Sequence, residues 1–379
     1  MRGILFEDTP AEFCLVAPTL APAAAAAGGY RVNRHFLILD GLRGIAAVSV
    51  LVYHGGVGMK GGFLAVDLFF VLSGFVLAYS YSGRLAAGMT FWSFSLQRFI
   101  RLYPLTVVGT LAGLLTLLAH NLSHVEDSYS LGELSRLTGL SLLVAPSLSG
   151  SSFAHEVFPL NTVLWSLFFE WTVNIAFGVI HGALTTKRTF ALCMFGLAGV
   201  LLSGELGGNM PQNFWSGFPR VTFGFFGGVL LHDLWRGQTA AWMRLGFWPA
   251  AGAILLLLSV DWPIWAFPLA GILIAALILS SARGQVTGIE AILCAQLGAL
   301  SYPIYVLHRP VQYFVDAAMK RIGLADWSRL DVATAALVTS LVGFGVLRAY
   351  DEPVRAWLSA ATRATADRRR MFASRQLDQ

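Results

Sequence analysis

A chain of 379 residues, of which 56% are hydrophobic and only 12% charged, with a mean hydropathy of +0.65, is too apolar for a soluble protein. In soluble domains about 25% of the residues are charged. The net charge of +5 does not indicate nucleic-acid binding, because the basic residues lie in short stretches between apolar segments. The composition therefore predicts an all-α membrane protein that crosses the bilayer several times.

The first 37 residues differ from the rest, because they hold no long apolar segment and include an alanine-rich stretch, APTLAPAAAAAGG. A cleavable signal peptide is one interpretation, but Glu7, Asp8 and Glu12 occupy the place of the basic region that such a signal begins with. We therefore expect residues 1–37 to form a flexible cytoplasmic N-terminal extension.

Ten apolar segments follow, each near the ~20 residues that cross a bilayer as a helix. They are 38–55, 62–82, 103–120, 161–182, 189–204, 217–235, 246–260, 262–281, 290–314 and 330–350. We predict one bundle of ten transmembrane helices around a polar cavity, occupying residues 38–358. A basic cytoplasmic tail, residues 359–379, follows this domain.

The distribution of basic residues predicts that both termini lie in the cytoplasm. With this orientation the outer segments hold six of the 26 Lys and Arg, namely Lys60, Arg136, Arg220, Lys320, Arg321 and Arg329. Arg43 and Arg309 fall within spans, and the remaining 18 lie on the inner side. Inner loops of membrane proteins are richer in Lys and Arg, so an excess of 18 over 6 favours this topology and an even number of spans.

The first span carries both an arginine and a histidine in the segment LDGLRGIAAVSVLVYHGG, residues 39–56. Eleven helical steps bring Arg43 and His54 to within ~20° of one face, about 16 Å apart along the axis. Ionisable residues inside a membrane are costly and usually functional. Histidine can transfer protons at neutral pH, and arginine binds anions. The pair therefore indicates a site that binds an anion at one depth and transfers a proton or an acyl group at another.

Three further ionisable side chains share the expected depth of His54 in the outer half of the membrane: Asp67, Glu170 and His308. Each has a structural alternative. Asp67 would instead pair with Arg43 or a backbone group, Glu170 would be a buried pairing residue, and His308 would be an interfacial histidine. Their common depth on separate spans favours one site.

At the inner side, the segment SLQRFIRLYPL presents Arg98 and Arg101 three residues apart, on one helix face. Together with Arg43 they would suit a phosphate-rich ligand, because guanidinium groups bind phosphate in a bidentate fork. The alternative, anchoring by basic residues at the inner surface, explains Arg98 and Arg101 but not Arg43. No metal-ligand spacing and no phosphate-binding or dinucleotide-binding loop motif is present, so we expect no metal site.

At these residues the sequence resembles the acyltransferase family 3 of integral membrane proteins, which O-acylate bacterial polysaccharides and related acceptors. The resemblance rests on six pieces in family order that span nearly the whole chain: LDGLRGIAAVSVLVYH (39–54), GGFLAVDLFFVLSGFVL (61–77), QRFIRLYPL (97–105), LWSLFFE (164–170), LGALSYPIYVLHRPV (297–311) and YDEPVRAWL (350–358). Residues 171–174 depart from the commoner family continuation, which puts the acceptor site in question.

The resemblance implies transfer of an acyl group, usually acetyl, from acyl-CoA to a hydroxyl of a carbohydrate or glycolipid acceptor. No cofactor is expected to stay bound, and membrane lipids surround the protein in a bacterial inner membrane. His54 would be the essential histidine, as general base or acyl carrier, with Glu170 or Asp67 fixing its tautomer. Donor binding is assigned to Arg43, Arg98 and Arg101, and acceptor binding to His308, Tyr302 and Trp165.

A transporter or flippase of a lipid-linked sugar is the alternative function. Such a protein would also need charges inside the membrane, but it would carry out no acyl chemistry. Acyl transfer from labelled acetyl-CoA, with and without His54, distinguishes the two.

Overall fold

The computed structural model describes residues 36–123, 128–148, 155–237, 244–323 and 329–377, and every regular element in them is helical. The α-helices are α1 (Leu37–His54), α2 (Leu64–Ala86), α3 (Phe91–Ser123), α4 (Leu131–Leu142), α5 (Leu164–Ile180), α6 (Thr186–Ser203), α7 (Gly217–Gly237), α8 (Phe247–Ser259), α9 (Phe267–Ser281), α10 (Gly288–Arg321), α11 (Arg329–Val346) and α12 (Glu352–Leu377). A π-helical turn, Leu347–Asp351, joins α11 to α12. The predicted all-α fold is confirmed.

Seven helical segments of the described residues are long and apolar enough to cross a membrane, as expected for a multi-pass membrane protein. They are Leu37–His54, Leu64–Ala86, Phe91–Leu122, Thr186–Ser203, Ile264–Ser281, Gly288–Arg321 and Arg329–Ala364. The other three predicted spans are helices as well: α5 with 17 residues, α7 with 21 and the short apolar α8 with 13. The number of ten crossings stays a prediction.

Two boundaries differ from the prediction. Helix α3 begins at Phe91 rather than at residue 103, so Arg98 and Arg101 lie inside the helix and not ahead of it. Helix α12 continues to Leu377, so most of the expected tail is helical. The expected extension lies outside the described residues apart from positions 36 and 37.

Helix α4 was not predicted, because it lies in a Ser- and Leu-rich segment between apolar runs. Ser130 caps it by accepting a hydrogen bond from the backbone N–H of Glu133 at 3.1 Å. Leu134 and Leu137 are buried and pack with Leu160 against α3. This short helix therefore forms a wall beside the C-terminal part of α3.

Helix α1 packs so closely against α10 that the contact requires glycine. A Cβ atom on Gly44 would lie 2.5 Å from the Cβ of Leu297, and one on Gly298 would lie 2.6 Å from the Cβ of Asp40. Small residues let helix backbones approach each other in membranes. The close packing holds the Arg43 and His54 face of α1 against α10.

A proline in α10 ties this helix to its neighbours. Pro310 has no N–H to donate to the carbonyl of Val306 one turn earlier. The side-chain amide of Asn161 donates to that carbonyl instead, at 2.8 Å, and also to the carbonyl of Gly109 at 3.2 Å. The segment before α5 is thereby fixed to both α3 and α10, next to His308.

Candidate functional site

Two imidazoles stack where α1 ends. The ring centroids of His54 and His308 are 5.3 Å apart, with the planes inclined by 30°. His54 is half-buried, whereas His308 on α10 is 0% exposed. The sequence predicted a common depth for these two histidines, and the structure places their rings in contact. His54 is the more accessible of the two.

The hydrogen bonds of His308 define which of its nitrogens is basic. Its Nδ1 lies 2.7 Å from the backbone oxygen of Tyr305. A carbonyl oxygen only accepts hydrogen bonds, so Nδ1 carries a hydrogen. A second proton on Nε2 would add a buried charge with no partner, so the ring is neutral and Nε2 holds a lone pair. This Nε2 is buried and has no hydrogen-bond partner among the described residues. His308 is therefore a neutral base held in one tautomer behind His54.

Helix α10 is also joined to the end of α1 by a side chain. The amide of Gln312, one turn beyond His308, donates to the backbone oxygen of Leu51 at 2.8 Å. The same oxygen, in the last turn of α1, also accepts from the backbone N–H of Gly55 at 3.1 Å. The hydrogen bond from Gln312 fixes the position of His54 relative to His308.

Asp67 does not contact His54, and the expectation that it orients this imidazole is wrong. Its carboxylate accepts two hydrogen bonds from Arg220 of α7, at 2.9 Å from Nε and 2.7 Å from Nη2. The two side chains are 5% and 3% exposed. A bidentate pair of this kind satisfies both buried charges. Arg220, which the sequence suggested for an outer loop, is thus part of the helical interior, and the alternative pairing of Asp67 with Arg43 is wrong too.

Trp165 belongs to this ion pair. The guanidinium carbon of Arg220 lies 5.4 Å from the centre of the Trp165 ring, within the range of a cation–π contact. Arg220 also donates to the backbone oxygens of Phe63, at 3.0 Å, and Leu206, at 3.3 Å. Trp165 was predicted to bind the acceptor, and the structure places it over a structural clamp between α2 and α7.

Glu170 lies deeper than Asp67. It accepts hydrogen bonds from Ser73 at 3.0 Å and from Arg98 at 3.3 Å. Ser73 follows Asp67 by six residues on α2, which is about 9 Å along the helix axis. The prediction that Glu170 shares one layer with His54 is therefore wrong, and Glu170 joins the arginines instead.

Arg43 is held by three partners at the opposite end of α1. Its Nε donates to the hydroxyl of Ser301 at 2.9 Å, and its Nη2 donates to the carbonyl of Gly298 at 3.0 Å. The same Nη2 lies 3.1 Å from the carboxylate of Asp40. Asp40, which the sequence analysis did not single out, thus helps to hold the Arg43 side chain in place.

Arg101 is the available cation of this group. It makes no hydrogen bond or ion pair with any residue in the described part of the chain, although it is not fully exposed. Its charge interacts with those of Arg43 and Arg355. It also interacts with the carboxylates of Asp40 and Asp351, neither of which lies within ion-pair distance. Arg98, paired with Glu170, still has a buried Nε without a partner. A partly buried excess of guanidinium groups is suited to an anionic ligand.

Arg355 extends this arginine group to α12. Its Nη2 lies 2.7 Å from the carboxylate of Asp351, in the π-helical turn. Turns of this type occur frequently at functional sites. Asp351 and Arg355 both lie in the segment YDEPVRAWL, but no role was predicted for either residue from the sequence. We define the arginine group as Arg43, Arg98, Arg101 and Arg355.

Tyr302 lies beside the arginine group and not beside the histidines. Its hydroxyl donates to the backbone oxygen of Leu102 at 2.7 Å, next to Arg101. Tyr305, one turn later, has its hydroxyl 2.6 Å from that of Ser166 and its ring next to His308. Tyr305 therefore lies between the arginine group and the histidine pair, a position that no sequence pattern indicated.

Within the described residues no group of three or more His, Cys, Asp or Glu side chains could hold a metal ion. The polar side chains described above carry imidazole, guanidinium, carboxylate and hydroxyl groups. These form two centres, the histidine pair and the arginine group, which α1 and α10 connect.

Comparison with known proteins gives a consistent family assignment. The model of the family described as "Acyltransferase domain" matches residues 36–349. The exopolysaccharide production protein ExoZ of Rhizobium meliloti is 26% identical over 307 residues, which cover 77% of this chain and 89% of ExoZ. The acyltransferase MdmB of Streptomyces mycarofaciens is 28% identical over 330 residues, covering 76% and 79%.

A shorter similarity is to protein 2 in the picA locus of Rhizobium radiobacter, 38% identical over 171 residues, which are 41% of this chain and 86% of that protein. No solved structure matches this chain. The family assignment therefore comes from sequence.

Proposed function

Because this chain belongs to the acyltransferase 3 family, we propose that it moves an acyl group from acyl-CoA to a hydroxyl of a carbohydrate acceptor at the membrane. The acceptor class is suggested by the similarity to ExoZ, whose name refers to exopolysaccharide production. An exopolysaccharide or a lipid-linked glycan is the acceptor of this proposal, and acetyl is the acyl group.

The stacked histidine pair is the observation that carries the proposal. A buried imidazole with a free lone pair is costly in an apolar interior unless the group has a task. An imidazole is also the side chain best suited to take a proton from a hydroxyl at neutral pH. A half-buried histidine in front of a fully buried one is thus an arrangement for proton transfer.

In the proposed reaction His54 takes the proton of the acceptor hydroxyl while the hydroxyl oxygen attacks the thioester carbon. The new C–O ester bond forms as the C–S bond breaks, and the imidazolium returns its proton to the CoA thiolate. In the second route the His54 imidazole attacks the thioester carbon first, so that a C–N bond forms, the C–S bond breaks and CoA leaves as a thiol with the imidazole proton. The acceptor oxygen then attacks the acyl carbon, the C–O ester bond forms as the C–N bond breaks, and the released imidazole takes the hydroxyl proton. His308 holds His54 in position in both routes.

The arginine group is the proposed donor site. CoA carries several phosphates, and the partly buried Arg101, with no counterion of its own, would take one of them. Arg43 and His54 are about 16 Å apart along α1, by 11 steps of 1.5 Å. This distance is similar to the length of an extended pantetheine arm. The thioester would therefore reach His54 while the phosphates are bound by the arginines.

The arrangement fits a bacterial plasma membrane with both chain termini in the cytoplasm. The arginine group would then face the cytoplasm, where acyl-CoA is made, and the histidine pair would lie toward the outer side. Removing Arg220, Arg98 and Arg101 from the loop count leaves the excess of basic residues on the same side.

The test is transfer from [14C]acetyl-CoA by the purified protein in liposomes that contain a polysaccharide extract. The proposal expects label in carbohydrate with wild-type protein and none with His54→Ala. A flippase without acyl chemistry would leave acetyl-CoA intact in both cases. Uptake of label without ester formation would contradict the proposal.

A further inference from the structure

A second polar region lies at the histidine end of the bundle. A cavity of about 320 Å³ lies between the C-terminal part of α3, the segment before α5 and α10. Its wall includes Thr116, Tyr129, Asn161, Thr162, Arg309 and Tyr313. At about 30 Å³ for each water-sized group, this volume holds on the order of ten such groups, the size of one sugar ring.

Asn161 supplies the wall with an unused acceptor. This side chain is 1% exposed, and its NH₂ group donates to the carbonyls of Val306 and Gly109. Two carbonyl partners require the nitrogen on that side, so the orientation of the amide is determined. Its Oδ1 is buried and has no partner in the described part of the chain. An unpaired buried carbonyl is costly and is satisfied by a ligand that donates, such as a hydroxyl.

Arg309 connects the cavity with the histidine pair. It directly follows His308 on α10, and its charge interacts with both His54 and His308. Glu156 is its electrostatic partner in the loop before α5, where burial raises the pKa of the carboxyl and Arg309 opposes that rise. No described carboxylate lies within ion-pair distance of the guanidinium, so its N–H groups can donate to ligand oxygens.

The aromatic side chains complete the wall. Tyr313 lies one turn after Arg309 on the same face of α10, and Tyr129 approaches from the segment before α4. Tyrosine offers an apolar ring and a polar tip, which suits the mixed apolar and hydroxyl surface of a sugar. Ligand pockets generally combine such aromatic lining with a few fixed polar groups.

We propose that this cavity binds one sugar ring of the acceptor, with a ring hydroxyl donating to Oδ1 of Asn161 and ring oxygens accepting from Arg309. The inference rests on the proposed acyl transfer, because it gives that reaction its acceptor site. A second hydroxyl of the same sugar, on the side toward His308, is the one presented to His54. The ligand class is a neutral hexopyranoside rather than an apolar alcohol.

Binding is tested first without catalysis. A Tyr313→Cys variant, with the native cysteines replaced by serine, is labelled in liposomes by a thiol reagent while methyl hexopyranosides or 1-octanol are added. The inference expects methyl glucoside or methyl galactoside to slow labelling about tenfold at saturation, and octanol to have little effect. Equal protection by octanol, or none by any glycoside, would overturn it. A Phe314→Cys variant, with the partly exposed neighbouring side chain replaced, serves as the control that sugars should not protect.

Kinetics provide the second arm. Arg309→Gln and Tyr313→Phe should each raise the KM for methyl glycoside about tenfold, the size expected for the loss of one buried polar contact. The KM for acetyl-CoA should stay at the wild-type value in both variants. Phe314→Ala, which replaces a side chain outside the cavity wall, should leave the KM for methyl glycoside, the KM for acetyl-CoA and the slow hydrolysis of acetyl-CoA at their wild-type values.

The two proposals fail in different ways. If wild-type protein hydrolyses acetyl-CoA and acetylates sugars, but Arg309→Gln and Tyr313→Phe leave the acceptor KM unchanged, the sugar site is wrong and acyl transfer stands. If wild-type protein leaves acetyl-CoA unreacted while methyl glycosides protect Tyr313→Cys, the cavity binds sugar and acyl transfer is wrong.

Discussion

His54 and His308 face each other ring on ring, although one ends α1 and the other lies in the middle of α10. The stack, with its centroids 5.3 Å apart, combines a partly accessible imidazole with one that is fully buried. Because only His54 can reach a bound substrate, the two residues should differ in what their replacement does.

The first prediction concerns His54. His54→Ala should lower kcat for acetyl transfer by about 10²–10⁴-fold, the usual contribution of a general base. His181→Ala, which removes a histidine from the turn after α5, is the matched control and should act as wild type. Transfer at the wild-type rate by a well-folded His54→Ala protein would contradict the mechanism.

The second prediction separates His308 from His54. Since the Nδ1–H of His308 donates to Tyr305, a His308→Gln variant should lower kcat and leave the KM for acetyl-CoA unchanged. Nitrogen-15 NMR of histidine-labelled wild type should show one ring with a hydrogen on Nδ1 alone, and this signal should vanish in His308→Gln. A signal from the opposite tautomer would refute the assignment.

The third prediction concerns Arg101. Arg101→Ala should raise the KM for acetyl-CoA about tenfold or more, and Arg101→Lys should restore part of it, because an ammonium lacks the planar fork. S-acetylpantetheine carries no phosphate, so its KM should not change in either variant. Arg188→Ala, an exposed arginine at the start of α6, provides the control. Equal effects on both donors would show that Arg101 stabilises the helices and does not bind phosphate.

The fourth prediction concerns the clamp between α2 and α7. Asp67→Asn or Arg220→Met alone leaves one buried charge unpaired, which should cost about 3–5 kcal/mol of unfolding free energy. The double variant Asp67→Leu/Arg220→Met should be more stable than either single variant, because no charge remains unpaired. Thermal unfolding in detergent measures this, and additive losses would mean that the two residues act independently.

The hydropathy of the sequence predicted where the apolar helices lie, but it did not predict which residues their polar side chains contact. All ten predicted apolar segments coincide with helices, because ~20 apolar residues in lipid have few alternatives to a helix. Asp67 and Arg220 lie on two helices that are far apart in sequence. The hydrophobic periodicity of either segment alone therefore cannot predict that they form an ion pair. Depth estimates failed at Glu170 for the same reason, since the relative heights of α2 and α5 are set by packing.

The arginines show a second limit. Arg98 and Arg101 were predicted on one helix face at the inner side, ahead of the span 103–120, whereas α3 continues through them from Phe91. Arg98 is tolerated there because Glu170 neutralises it at 3.3 Å. Sequence patterns indicated candidate site residues, but only the structure shows which of them already have a partner and which, like Arg101, make no hydrogen bond or ion pair among the described residues.

The last prediction concerns orientation, on which the route from an inner donor to an outer acceptor depends. The distribution of basic residues places the α12 end in the cytoplasm and the segment before α4 outside. In a variant with Cys14, Cys193 and Cys294 replaced by serine, an impermeant thiol reagent added to intact cells should label Ser128→Cys, an exposed position, and not Ser374→Cys. Permeabilised cells should label both, which controls for accessibility. Labelling of Ser374→Cys in intact cells would indicate an odd number of crossings or an inverted chain, and acyl-CoA in the cytoplasm would then meet the histidine pair before the arginine group.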